Sequence, residues 1–256
     1  SYTSPTVLTN ANDSEFTSGN SIHQTIKQNA PQSVVRGVSS GSNFCLWSFK
    51  RAPSYFDIVA YDGTSSAQNI THNLGVKPEM MWIKSRSNAN SWIVYHKQQG
   101  ATKRAFLHSN QAFDTAGTGI FNNTEPTATQ FTVGTDSNVN YSGHTFISYL
   151  FATAAGVSKV GSYTGNGGTQ NIDCGFSSGA RFVLIKSSTQ ATEWFLFDTA
   201  RGIVSGNDPA LLIDTTDGEY SYDFVDPYNS GFAVNYVGAL NGTNTSGQTY
   251  IFYAIA

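Results

Sequence analysis

Short apolar runs recur along the chain and end at Gly, Asn, Asp or Pro. In the run over residues 80–83, Gly75 and Pro78 precede four apolar residues and Lys84 follows them. A run this short, bounded by turn residues, is typical of a central strand covered on both faces. Helical periodicity is weak, and only residues 105–117 are compatible with a short helix. The pattern predicts an all-β fold.

The chain contains two copies of one unit of about 100 residues. Matching segments align at nearly the same shift along the whole unit. Small insertions make the shift slightly larger in the last segment. The pairs match at shifts of 102, 102 and 104 residues: 60–70 with 162–172, 82–85 with 184–187, and 140–152 with 244–256. Each unit is therefore expected to fold in the same way.

Residues 39–50, SSGSNFCLWSFK, repeat the closing Ser-Gly-aromatic element of the unit a third time. We therefore predict a partial repeat or connecting segment over residues 1–53. It is followed by two β-sandwich repeats, jelly-roll or lectin-like, over residues 54–155 and 156–256. Because the chain opens inside the end of an earlier repeat, we expect the parent polypeptide to extend further toward its amino terminus.

The closing strand of each copy alternates two sets of side chains. One set is large and apolar in all three copies, which predicts the face toward the sandwich core. The other set is mixed, which predicts a face packed less completely against a neighbouring repeat or a subunit. The first set is Cys45, Trp47, Phe49, Ile147, Tyr149, Phe151, Ile251, Tyr253 and Ile255; the second is Phe44, Leu46, Ser48, Phe146, Ser148, Leu150, Tyr250, Phe252 and Ala254.

Composition narrows the classes of partner. Charged residues make up 12% of the chain and the net charge is −3, so nucleic acid and anionic lipid are not expected to bind. No stretch approaches the roughly 20 apolar residues of a membrane span, so no membrane insertion is expected. Cys45 lies in an aromatic strand and Cys174 beside a glycine, which favours two small buried thiols over a disulfide.

No catalytic motif is present. Three of the five histidines, His72, His96 and His144, fall opposite non-histidine residues in the second copy, so chemistry shared by the repeats cannot depend on them. The sequence has no Gly-x-Ser-x-Gly, His-Glu-x-x-His or Cys-x-x-Cys motif. We therefore predict a protein that is not an enzyme, with no catalytic residues and no cofactor.

The acidic segment 213–227 has two competing interpretations. Its carboxylates are the oxygen ligands that Ca²⁺ prefers, and paired carboxylates in a groove would also suit a polysaccharide depolymerase. However, the spacing is not that of an EF-hand, and the first copy's counterpart, residues 114–126, is poor in acid. We expect solvated loop carboxylates and no metal site.

Four motifs carry a resemblance to a known family: LGVKPEMMWIKSR, SWIVYHK, FTVGTDSNVNYSGHTFISYLFA and the joining WSFKRAPSYFDIVAYDG. Together they resemble a repeat of structural proteins of tailed bacteriophages, particularly marine ones, over roughly residues 36–256. The resemblance implies a virion protein on the tail or capsid surface. It would be either a tail fibre for host attachment or a head decoration protein. The second copy has GFSSGARFVLIK in place of GVKPEMMWIK, so its turn is expected to differ.

Two hypotheses follow. A scaffold would associate with copies of itself, most simply as a trimer, and with other virion proteins, and would bury its aromatic residues there. A recognition module would bind host-surface glycans, with flat rings covering a sugar and amides bonding its hydroxyls. Because their registers repeat, Trp82, Trp92 and Trp194 are expected in the core or at a sandwich edge, and a sugar-stacking platform is the alternative. The candidate glycan-binding residues are Asn140, Tyr141, Tyr220, Tyr222, Tyr228 and Tyr236.

Overall fold

The computed structural model describes residues 23–27, 30–34, 47–238 and 242–256. Its regular structure is almost entirely antiparallel strand, which confirms the predicted all-β sandwich fold. Strands β1 (His23–Lys27) and β2 (Ala30–Val34) form a hairpin upstream of the repeats. Cys45 and residues 39–46, which carry most of the predicted third closing element, lie outside the described residues.

Repeat 1 pairs a six-stranded sheet with a two-stranded one. Its elements are β3 (Phe56–Asp62), β4 (Gln68–Thr71), β5 (Met80–Ser85), β6 (Ile93–His96), β7 (Lys103–Phe106), β8 (Asp114–Thr115), α1 (Gly117–Phe121), β9 (Gln130–Val133), α2 (Ser137–Asn140) and β10 (Thr145–Phe151). The large sheet has the order β3-β10-β5-β6-β7-β8, and β4 pairs with β9. Residues 105–117, whose sequence is compatible with a short helix, do not form one, because the first of these residues pair with β6 and a helix begins only at Gly117.

Repeat 2 has the same strand order in its large sheet, β11-β19-β13-β14-β15-β16. Its strands are β11 (Ser158–Thr164), β12 (Thr169–Asp173), β13 (Phe182–Ser187), β14 (Phe195–Asp198), β15 (Asp208–Leu212), β16 (Tyr220–Tyr222), β17 (Val225–Tyr228), β18 (Gly231–Asn235) and β19 (Thr249–Ile255). The small sheet has three strands in the order β12-β18-β17. Strand β17 takes the chain position that α1 holds in repeat 1.

Strands β5 and β13 lie in the interior of their sheets, each between a closing strand and the next strand along the chain. Every residue of β13 is buried, and β5 has one half-buried residue, Trp82. The prediction of central strands is therefore confirmed. The turns that lead into them differ, as expected: Gly75 has φ +77° in repeat 1, whereas Gly175 and Gly179 take positive φ in repeat 2.

The two large sheets pack face to face, and we call this contact the seam. Each repeat also has a core of its own between its large and small sheets. The two repeats therefore form a stack of four sheets, with the small sheets outermost. Buried seam residues include Met80, Trp92, Val94 and Phe151 of repeat 1, and Leu184, Trp194, Leu196 and Tyr253 of repeat 2.

The predicted orientation of the closing strands is wrong. Phe151, Ile251 and Tyr253, from the uniformly apolar set, lie in the seam. Leu150 and Phe252, from the mixed set, lie in the cores of repeats 1 and 2. Both faces of a central strand are buried here, so side-chain alternation identifies which residues share a face and not what that face contacts. The apolar face packs on the neighbouring repeat.

Both repeats point in the same direction along the seam. Trp194 Nε1 donates to the Phe106 carbonyl (2.9 Å), and Phe113 N donates to the Ser188 carbonyl (3.2 Å). These contacts join the β7–β8 connection of repeat 1 to the β13–β14 connection of repeat 2. Both connections lie beside the closing loops, residues 140–144 and 244–248. We call this the loop end; the opposite end, with the inter-repeat linker over 152–157, is the linker end.

Residues 47–50 cover the seam at the linker end, and we call them the clasp segment. Trp47 Nε1 donates to Asp198 Oδ2 (3.1 Å), and the Arg201 guanidinium lies 4.9 Å from the centre of a Trp47 ring. The Phe49 ring lies 6.1 Å from that of Phe151 and 6.0 Å from that of Phe182, so it touches both repeats. The described part of the third closing element therefore packs on both repeats.

Candidate functional site at the loop end

Asn140 and Asn244 brace the two closing loops from inside. Asn140 is fully buried; its Oδ1 accepts from Thr64 N (2.8 Å) and Gln68 Nε2 (2.8 Å). Its Nδ2 donates to the carbonyls of Ser66 and Gly134, both at 2.6 Å. The amide of Asn140 has no group left for a ligand, so its role is structural.

The equivalent Asn244 makes the same kind of contacts in repeat 2. It is fully buried, its Oδ1 accepts from Asn166 N (3.0 Å), and its Nδ2 donates to the Gly168 carbonyl (2.8 Å). Each asparagine ties the closing loop to the loop after the first strand of its repeat. A ligand at the loop end would therefore meet a loop framework that is already fixed.

A cavity of about 210 Å³ opens between the closing loop of repeat 2 and the β13–β14 connection. Among the residues that the structure describes, no charged side chain lines it. Thr192 and Tyr250 are buried, and Gln190 is exposed. The lining residues are Gln190, Thr192, Thr245, Gln248 and Tyr250. Amides, hydroxyls and one aromatic ring are groups that bind a neutral, hydroxyl-bearing ligand.

The same surface in repeat 1 is more aromatic. At the positions of Thr245 and Gln248 it has Tyr141 and His144, whose rings lie 4.8 Å apart at 51°. Tyr141 is 50% exposed. The prediction that Tyr141 is available to a ligand therefore fits its position, whereas Asn140 beside it is buried. The two loop surfaces share a framework and differ in chemistry.

The remaining predicted ligand residues do not form one site. Tyr236, 51% exposed, lies at the loop end, where its backbone N donates to the Gly168 carbonyl (2.9 Å). Tyr220 and Tyr222 lie on β16, at the edge of the large sheet, and Tyr228 lies on β17 near the linker end. Of the six residues, only Asn140, Tyr141 and Tyr236 lie at the loop end.

The sequence pattern did not predict a ligand site at the cavity residues Gln190, Thr192, Thr245 and Gln248. The repeat alignment did hold a signal for two of them, because Thr245 and Gln248 fall opposite Tyr141 and His144. The tryptophans are as predicted: Trp92 and Trp194 are buried in the seam, and Trp82 packs against it. None of these three offers an open ring face for a sugar.

The acidic segment is dispersed by the fold. Asp214 is buried in the seam region, while Glu219 pairs with Arg201 (2.7 Å). Asp223 and Asp226 both accept from Asn235 Nδ2, each at 2.7 Å. Within residues 47–238 and 242–256, no group of three or more His, Cys, Asp or Glu side chains is placed to hold a metal ion. The expectation of solvated loop carboxylates fails for Asp214.

Comparison with known families gives one match. A family model described as a domain of unknown function, DUF7483, matches residues 9–256. The chain belongs to the DUF7483 family. Neither the comparison with curated proteins nor the one with solved structures found a match. The matched range of DUF7483 includes both sandwiches and the clasp segment.

Two further features describe this DUF7483 chain. Cys174 is buried and is a free cysteine among the described residues, which do not include Cys45. Among the helices of the described residues, none is long and apolar enough to cross a membrane.

Proposed function

We propose that this DUF7483 protein is a non-enzymatic virion structural protein of a tailed bacteriophage, a tail-fibre component that attaches to the host. The observation that carries the proposal is the polarity of the double sandwich. Both repeats direct their closing loops to one end, while the inter-repeat linker and the clasp segment lie at the other. A double sandwich arranged in this way can present two binding surfaces, one from each repeat, at the same end. The phage assignment rests on the sequence resemblance.

The ligand that best fits the loop end is a host-surface glycan. The repeat 2 cavity is lined by neutral amides and hydroxyls, and repeat 1 presents the exposed Tyr141 ring beside His144. Sugars present hydroxyls and an apolar ring face, and these groups match both features. Because Asn140 and Asn244 already fix the loop framework, binding would cost little conformational entropy.

A glycan array probed with the full chain tests this proposal. Gln190→Ala removes an exposed cavity amide, and Tyr141→Ala removes the exposed ring of repeat 1. Tyr222→Ala, at a sheet edge away from the loop end, is the matched control. We expect selective glycan binding that the first two variants reduce and the control keeps. Absence of binding at high protein density would contradict the glycan assignment, as would equal loss in all three variants.

A capsid decoration protein is the alternative, and one surface favours it. Val204 (46% exposed) and Tyr222 (41% exposed) flank Asp208 at the edge of the repeat 2 sheet. Exposed apolar side chains at a sheet edge suit contact with another virion protein. Because the seam already covers the apolar face of the closing strands, self-association, as a trimer or otherwise, would need such a surface. Images of the intact particle would decide between tail and capsid, and mass measurement in solution would test self-association.

A further inference from the structure

Lys186 lies at the loop end of the seam and contacts both repeats. Its side chain is fully buried at the end of β13. Its Nζ donates to the carbonyls of Ser187 (3.0 Å) and Gln190 (3.5 Å) in repeat 2, and to the carbonyl of Asn110 (3.2 Å) in repeat 1. An amine of one repeat is therefore held against the backbone of a specific residue in the other.

The carboxamide of that residue is held by a carboxylate. Asn110 Nδ2 donates to Glu193 Oε1 (3.1 Å), which again joins the two repeats. The carboxyl of Glu193 lies next to that of Asp214. Asp214 Oδ1 accepts from Trp194 N (3.1 Å), while its Oδ2 is buried and has no hydrogen-bond partner among the described residues. The amine of Lys186 therefore lies against the backbone of Asn110, and the carboxamide of that residue is bonded to Glu193, next to Asp214.

The charge states of these groups suit amide chemistry. Burial lowers the pKa of Lys186 to about 8, although Asp214 and Glu193 oppose this shift. Burial, together with the neighbouring Glu193, raises the pKa of Asp214 to about 7. Near neutral pH, part of the Lys186 population is an uncharged nucleophile, and part of the Asp214 population keeps its proton. A desolvated lysine beside a proton donor is the arrangement that nucleophilic catalysis requires.

We propose that Lys186 and Asn110 form an isopeptide bond that joins the two repeats covalently, with Glu193 and Asp214 transferring the protons. The neutral Nζ attacks Cγ of Asn110, and the protonated carboxyl stabilises the resulting oxyanion. The carboxyl pair then carries a proton from Nζ to Nδ2. The Cγ–Nδ2 bond breaks, one ammonia leaves, and an amide remains. Because Asn110 faces solvent, the ammonia can leave directly.

Repeat 1 contains an internal comparison. Lys84 is the equivalent of Lys186; it is fully buried, and its Nζ donates to the carbonyls of Ser85 (3.2 Å) and Asn88 (3.4 Å). His108 takes the place of Asp214, since its Nδ1 accepts from Trp92 N (3.3 Å) as Asp214 accepts from Trp194 N. The position of Glu193 is Ser91 by the repeat alignment. Without the carboxyl pair, Lys84 is expected to keep its amine.

Mass spectrometry of the full, folded chain tests the proposal. We expect an intact mass lower than the sequence mass by one ammonia. After trypsin digestion, tandem spectra should show the Lys186 and Asn110 peptides joined as one species, with no cleavage at Lys186. Asn110→Ala should restore the full sequence mass, while Gln111→Ala, the neighbouring exposed carboxamide, should keep the loss. Asn110 is exposed, so its substitution leaves the fold intact.

Glu193→Gln tests the proton-transfer role separately, because Glu193 lies outside the buried core. We expect bond formation in freshly refolded protein to slow by about 100-fold or more. Full sequence mass after prolonged incubation of the folded wild type would overturn the proposal. Ammonia loss that persists in Asn110→Ala would also overturn it, because the loss would then arise elsewhere.

Discussion

Phe151 and Tyr253 face each other across the seam, with ring centroids 5.0 Å apart at an interplanar angle of 56°. Phe151 ends the closing strand of repeat 1, and Tyr253 lies in the closing strand of repeat 2. Each side chain is only 1% exposed. The large apolar side chains shared by the copies therefore join the repeats to each other.

A double-mutant cycle on this pair measures the seam directly. Phe151→Ala and Tyr253→Ala should each lower the free energy of unfolding by about 3–5 kcal/mol, because each leaves a cavity. The two effects should deviate from additivity by about 0.5–1.5 kcal/mol, as expected for an aromatic pair in contact. The measurement is urea denaturation of the four chains. As a control, Phe151→Ala with Phe195→Ala, which alters the core of repeat 2, should be additive to within about 0.5 kcal/mol.

Because its contacts are all internal, Asn140 is expected to stabilise the fold and not to bind a ligand. Asn140→Ala removes two donors and two acceptor contacts from buried backbone and side-chain groups, so it should cost at least about 2 kcal/mol. Tyr141→Ala, one residue away and half exposed, should change stability by less than about 0.5 kcal/mol. Thermal unfolding of both variants provides the comparison. Equal, small effects would show that the closing loop does not depend on the amide.

The clasp segment should contribute measurably to the seam. Trp47→Phe loses the N–H donated to Asp198 and should cost about 1 kcal/mol. Trp47→Ala also loses the ring against Arg201 and Phe182, so its cost should rise to about 2–3 kcal/mol. Lys50→Ala, an exposed neighbour, is the control in the same denaturation experiment. If Trp47→Ala is as stable as the wild type, the segment does not hold the seam.

Asp214 should give the stability a defined pH dependence. Burial and Glu193 raise its pKa from 3.8 to about 7, so between about pH 4 and about pH 7 the folded state binds more protons than the unfolded state. The free energy of unfolding should therefore fall as pH rises through that window. Subtracting the Asp214→Asn profile from the wild-type profile should isolate this slope. Asp217→Asn, in the exposed part of the same segment, should leave the wild-type profile unchanged; a flat difference for Asp214→Asn would contradict the shift.

The strands were largely predictable from the sequence, and their partners were not. Bounded apolar runs and the two-copy alignment predicted β5 and β13 as central strands, because chain-local patterns carry that information. The face assignment failed because Leu150 and Phe151 are both buried, one in a core and the other in the seam. Periodicity distinguishes buried from exposed faces, and here both faces are buried.

The candidate site was predictable only in part, for a related reason. Tyr141 and Asn140 are neighbours in a polar loop, and only the fold shows that the amide points inward. The matching Asn244 did indicate a role shared by both repeats, which is more typical of structure than of a ligand site. Lys186 and Glu193 lie in one short segment, whereas Asn110 lies 76 residues before Lys186, in the other repeat and in a segment with no shared motif. Only the packing of the sheets brings them together.

Differential scanning calorimetry of the full chain tests the central claim that the seam makes the two repeats one cooperative unit. The account predicts a single transition whose van't Hoff enthalpy equals the calorimetric enthalpy. Phe151→Ala should lower the midpoint of that whole transition. Two resolved transitions, or a van't Hoff enthalpy close to half the calorimetric value, would show that the sandwiches unfold independently and would contradict the account.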